Sequence, residues 1–296
     1  MIDPRRPTSV PAALRSVGRY VASGLLQVEH SLRSAGAAFV DRWPALTTLL
    51  VSTWYGYTHL YCWGTGVKNS LVHPAGIDPF EIQRVPLDPP IPWLDLTPSG
   101  PVTSQFSRSK FKYAGRVMDG DWDQHTVPFQ ETAVYRGFKA HFERSVDWAE
   151  TEFFADVMDR IDDGNPMWGC RSRAAFERRC ERIDELYASI EAHGYRIQAE
   201  LAGDEVDDPL AAQRVPSARH TIHDEMTVLI GRDGEYIFVD GRDRLAIVLL
   251  LDLPSVPVWV LARHERWQRL RDAVASGRVE QCDLPPRLRD HPDLST

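Results

Sequence analysis

The sequence lacks the marks of several common protein classes. Its four cysteines, Cys62, Cys170, Cys180 and Cys282, form no C-x-x-C pair and have no paired histidines at zinc-finger spacing. That excludes a zinc ribbon or disulfide framework as the organising device and leaves reduced, buried thiols as the expected state. Basic charge is also short: 34 Lys and Arg, only Lys68, Lys110, Lys112 and Lys139 being lysines, stand against 42 Asp and Glu, for a net charge of −8. A protein that coats nucleic acid through its overall charge is therefore excluded, and with no helix-turn-helix pattern after residue 265 the reading argues against sequence-specific DNA as a partner. No period repeats along the chain and no heptad is sustained, which argues against solenoids and coiled coils.

A secretion signal is missing too, because Arg15 and Arg19 interrupt the apolar stretch near the N-terminus and no small-residue cleavage site follows. The expected location is the cytoplasm. The longest charge-free run, Trp43 to Val67, is diluted by Pro44, four threonines before residue 60, and three glycines. It reads as buried core, with peripheral membrane contact through Trp54, Tyr55, Tyr57, Tyr61 and Trp63 as the alternative. Before it, Leu14, Val17, Val21, Leu25, Val28 and Leu32 recur at the spacing of an amphipathic helix.

What is present is enough apolar material, 43% of residues with nine tryptophans, to build a large core. The expected class is α+β, a mainly helical N-terminal and middle region followed by a small C-terminal α/β domain. Four segments follow from the composition: an N-terminal helical and aromatic region, 1–72; a proline-rich connector with short strands, 73–128; a helical region, 129–194; and the α/β domain, 195–296. Within the third, helices are expected near 129–145, at 147–162 with Ser145 as cap, and after Ser172 up to Gly194. GYRIQAEL reads as a strand. MTVLIG and EYIFVD around RDG read as a hairpin, GRDRLAIVLLLDL as a helix with Asp240 at its N-cap, VPVWVLARH as a returning strand and HERWQRLRDAVASG as a closing helix.

The stretch VDGRDRL carries the chemistry. A helix start leaves backbone N–H groups unpaired and bears partial positive charge, so it attracts anions. Gly241 opens the backbone to a ligand, and Arg242 and Arg244 add planar donors suited to phosphate. The same residues also read as an ordinary capped turn whose arginines pair with Asp233, Asp243 or Asp252. Arg263 and His264 either line the same pocket as Arg244 or cap the last helix. Asp119, Asp121 and Asp123 read as a tight turn anchored by Trp122, since the later ligands of a calcium loop are absent.

Residues 220–265, with hairpin, Gly241, a polar pair, Arg244 at a helix start and then VPV, resemble the core of the ParB/sulfiredoxin-like superfamily. The resemblance implies a small α/β domain whose G-x-x-R helix start binds the phosphates of a nucleotide, ATP or CTP with Mg²⁺, held by Asp240, Gly241, Arg242 and Arg244. It also implies that an acidic residue upstream of the hairpin, Glu225 or Asp224, serves as catalytic base or metal ligand. Asp243 departs from the pattern, many members having His or Arg there, and an aspartate facing a triphosphate would repel it. No protein-held metal site is expected from His220, His223, Asp224 and Glu225, because on an extended segment the two histidines point to opposite faces. The expected function is binding of a nucleotide or other phosphorylated small molecule, with phosphate hydrolysis or transfer; the alternative is a non-catalytic interaction scaffold with an unknown protein partner, membrane-peripheral through its N-terminal region.

Overall fold

A computed structural model describes residues 44–95, 110–165, 167–201, 210, 222 and 224–294. The chain divides into two compact units, Met1–Trp54 and Tyr55–Thr296. Of the first, only the start of helix α1, Pro44–Val72, is described; that helix continues into the second unit.

In the second unit, β1 (Ile82–Pro86), β2 (Pro92–Leu94), β3 (Arg116–Met118) and β4 (Thr126–Pro128) precede three helices, α2 (Ala133–Arg144), α3 (Glu152–Asp162) and α4 (Arg173–His193). A short α5 (Gln198–Leu201) is followed by β5 (Thr227–Ile230), β6 (Tyr236–Asp240), α6 (Arg242–Leu250), β7 (Ser255–His264), α7 (Glu265–Ala275) and α8 (Pro286–Arg289). The class is α+β. Among the described residues, all seven strands join one mixed sheet in the order β1-β7-β5-β6-β2-β4, with β3 paired parallel to the end of β7. Strands from the proline-rich segment 73–128 thus share a sheet with those from 195–296. Pro86, Pro92 and Pro128 sit at strand ends, where they cost the ladder least, while Pro257 lies inside β7 opposite Arg84 of β1.

The apolar runs of β5 and β7 have no polar alternation because both faces of the sheet are covered. One face packs Val228, Ile230, Phe238, Val256, Val258 and Val260 against the helical layer, with Phe138, Phe153, Phe176, Ile183 and Ile247. The other packs Leu229, Ile237, Val239, Trp259 and Leu261 against Cys62 of α1 and Phe111. The expected apolar face of α4 is buried at Phe176, Cys180, Ile183, Leu186 and Ile190, with Ser172 capping its start through the Ala175 amide.

Several local expectations change. Ser145 does not cap the second helix of the middle region; at φ 55° it ends α2 in the left-handed conformation, and Thr151 caps α3 through the Phe154 amide. GYRIQAEL is not a strand. Glu200 reaches back to accept from the Ile197 N–H, half of a capping box, and that local bond turns Gln198–Leu201 into a helical turn. Nor is α1 buried core throughout, since Leu60, Trp63, Leu71 and Val72 are exposed. The expected loop over residues 203–219 falls outside the described residues apart from Leu210, and the expected helix within 11–40 falls wholly outside them. Three of the four cysteines, Cys62, Cys170 and Cys180, are buried free thiols, and Cys282 is an exposed one.

Candidate phosphate site at the start of α6

Helix α6 begins where β6 ends, and its first residue is Arg242 rather than Gly241. Gly241 itself is the N-cap, at φ 89°, with no side-chain cap bond, so the expected capping role of Asp240 is corrected. Asp240 instead closes β6, its Oδ1 accepting the Gly241 N–H at 2.8 Å. Glycine is required at 241 for two reasons: the positive φ, and a Cβ there would lie 2.7 Å from Met226 Cγ and 2.9 Å from its Cα. The space beside the backbone is filled by Met226, so this glycine serves the turn and the packing of β5 rather than ligand approach.

The charges around the helix start sort themselves by partners drawn from elsewhere in the chain. Lys110 Nζ lies 2.5 Å from Asp240 Oδ2. Burial acts to raise the Asp240 pKa, but Lys110 and the Gly241 amide outweigh it and hold the carboxyl below its ordinary range. Asp243 does not face the helix start; it is buried against α4, where it pairs with Arg179. The repulsion expected of Asp243 is thereby met within the protein.

Arg242 has the opposite character. Among the described residues it makes no ion pair or hydrogen bond, and its guanidinium sits 5.3 Å from the Trp168 ring centre, as Arg179 does at 4.5 Å. Burial lowers its pKa, and the Arg160 and Arg179 guanidiniums act in the same direction while Asp243 and Asp240 act to raise it. It stays charged at any working pH.

Arg244 turns to the segment before β5, donating from Nη1 to the Asp224 carbonyl at 3.3 Å. Glu225 follows and is 3% exposed. Its Oε1 accepts the Gln198 N–H at 2.6 Å and its Oε2 the Tyr195 hydroxyl at 3.4 Å. Burial pushes its pKa up to about 7, against the downward pull of the Gln198 amide, Arg244 and Tyr195. A carboxyl in that range can take or give a proton near neutral pH.

The structure therefore brings Gly241, Arg242 and Arg244 to one helix start, with Glu225 in electrostatic range of Arg244. Asp224 contributes its main-chain carbonyl. His220 and His223 lie outside the described residues. Arg263 and His264 do not share the pocket. They end β7 beside Ile230, while Asp240 pairs with Thr227 at the other end of β5. His264 caps α7 through the Arg266 amide. Asp121 and Asp123 both bind Arg232, with Asp123 Oδ2 accepting from its backbone N and its Nε at 2.8 Å, so the acidic turn fastens the hairpin.

Lys110, Arg179, Trp168, Tyr195 and Gln198 escaped the sequence reading. Only Arg179 left a signal: three residues after Phe176 and four before Ile183, it is an arginine on the apolar face of α4. Trp168 lies in a Gly- and Pro-rich turn with nothing local to pair it with residue 242.

A phosphate fits the uncapped amides and the arginines. A protein-held magnesium fits less well: Asp240 and Asp243 are committed to cations, Glu225 to Gln198 and Tyr195, and among the described residues no group of three or more His, Cys, Asp or Glu is placed to hold a metal. No family model matches the chain, and neither does any curated protein or solved structure.

Proposed function

We propose that the start of α6 binds the phosphate of a small molecule, a nucleotide such as ATP or CTP being the leading ligand, and that this is the protein's task in the cytoplasm. One observation carries the reading. Each acidic group flanking the helix start is neutralised by a cation from a distant element, Asp240 by Lys110 and Asp243 by Arg179, while Arg242 has no carboxylate partner among the described residues. A helix start whose only purpose was to end a strand would pair its own arginine with its own aspartates. The order hairpin, Gly241, α6, β7 is also the one that the ParB/sulfiredoxin-like resemblance implies. Magnesium, where it takes part, arrives on the phosphates of the ligand.

Hydrolysis or transfer of the phosphate falls to Glu225, whose carboxyl titrates near neutrality beside Arg244. The scaffold reading has its own support in the same residue, since Glu225 is sealed from solvent and both its oxygens accept hydrogen bonds. Isothermal titration of the purified chain with ATP, CTP and ADP in the presence of Mg²⁺ tests the proposal. Heat is expected with at least one of them and none with Arg242→Ala; heat with none of the three ends it. Binding without phosphate release, followed by phosphate assay, confines the site to binding and removes Glu225 from catalysis.

A further inference from the structure

Helix α1 is anchored by one side and leaves apolar side chains exposed on the other. The side that docks on the sheet layer presents Thr58, Cys62 and Asn69, exposed to 1%, 0% and 7%. Asn69 spends its amide on the Gly115 carbonyl at 2.7 Å and Cys62 its thiol on the Phe111 carbonyl. On the opposite side of the helix, at 100° per residue, stand Leu60, Gly64, Val67 and Leu71, where the three branched side chains are exposed to 65%, 43% and 83%. Trp63 at 65% flanks them. An exposed apolar stripe on a helix already anchored by its other side marks a contact surface.

We propose that this outer face packs against the same face of a second copy of the chain, the two α1 helices running antiparallel about a two-fold axis. Three features favour a copy of the same helix over other occupants. The 4-3-4 spacing of Leu60, Gly64, Val67 and Leu71 is the knobs-into-holes seam of two helices crossing at a shallow angle, though too short to stand out as a sustained heptad. It also reads the same in both directions, so that Leu60 meets Leu71 and Gly64 meets Val67 across the axis, the self-complementarity an isologous contact requires. Finally, a Cβ built on Gly64 meets nothing within 4 Å, which leaves room for a second helix to approach closely and for Val67 of the second copy to seat there.

A lipid surface fits the same face less well. From Pro44 to Val72 the only charged side chain is Lys68, and the chain as a whole carries −8, so headgroups find no basic row to grip.

Sedimentation equilibrium of the full chain from about 1 to about 100 µM tests this, with Leu60→Glu and Leu71→Glu as variants. The wild type is expected to reach twice the chain mass of 33.6 kDa, and each variant to weaken the dimer by roughly tenfold or more. Because both residues are exposed, the thermal melt of each variant should match the wild type at low concentration; if Leu60→Glu loses its fold, Leu71→Glu and the wild-type series still decide. A wild type that stays monomeric throughout overturns the proposal, as does a dimer that both variants leave intact. A monomer that floats with vesicles of phosphatidylcholine and phosphatidylserine overturns it in favour of lipid.

Discussion

Two clusters of arginine and carboxylate lie at opposite ends of the central strands, and they differ in how their charges are spent. At the end of β7, Arg263 is fully buried and bonds Asp293 from Nε at 2.9 Å and from Nη2 at 2.5 Å, with Glu81 on the same Nη2. Asp293 also accepts from Trp267 Nε1 at 2.7 Å and Gln83 Nε2 at 2.7 Å, and Arg271 Nε lies 3.1 Å from it. Two arginines meet two carboxylates there, and Arg263 Nη1 is the one guanidinium group of that residue left without a partner among the described residues. At the start of α6 the carboxylates are met by Lys110 and Arg179, and Arg242 is left over. A closed balance of buried charge holds a fold together, whereas on the function proposed above the leftover cation at the helix start takes its anion from a ligand.

The largest effect that would break this contrast comes from the closed cluster. Asp293→Ala leaves Arg263 and Arg271 buried without their carboxylate and is expected to cost about 3–5 kcal/mol in urea unfolding. A loss under about 1 kcal/mol would mean the cluster is solvated and the contrast false. The native pair also resists acid. Burial raises the Asp293 pKa, yet Arg263 and Arg271 hold it below its ordinary value, so its contribution is complete above the usual carboxylate range and fades as pH falls through the lowered value.

Glu225 gives the opposite pH sign. Its pKa in the fold, about 7, lies above the ordinary 4.5, so its contribution is complete below pH 4.5 and is lost as pH rises through 7. Stability should fall by about 3 kcal/mol between pH 5 and pH 8 on this account, and Glu225→Gln should flatten that part of the profile. An unchanged slope in the variant would remove Glu225 from the buried, neutral-pH role assigned to it.

Smaller still is Gly241→Ala, expected to lose about 2 kcal/mol in thermal melting through the positive φ and the clash with Met226. The smallest is the sharpest: Arg242→Ala should move stability by no more than about 0.5 kcal/mol, because the native side chain holds no ion pair. A large loss would make Arg242 a structural residue like Arg263 and erase the distinction between the two ends.

Much of the fold was legible in order. The hairpin around RDG, the helix after Gly241, the return through VPVWVLARH and the closing helix all stand where alternation, turn residues and 3.6-residue spacing put them. Errors arose where one side chain settled the matter, as with Glu200 and the turn at Gln198. The candidate site was legible in its cations and illegible in its anions: Arg242 and Arg244 are read from a seven-residue motif, but the fate of Asp243 depends on Arg179, 64 residues away, and that of Asp240 on Lys110.

By itself the sequence determined the α+β class, the element order from Thr227 to Ala275 and the placing of arginines at a helix start, because these rest on backbone geometry within a few neighbouring residues. The tertiary structure alone decided that all seven strands share one sheet, that Glu225 lies sealed beside Arg244, and which carboxylates are spent. Desolvation and ion pairing depend on what is packed within a few ångströms in space, and distance along the chain carries no record of that.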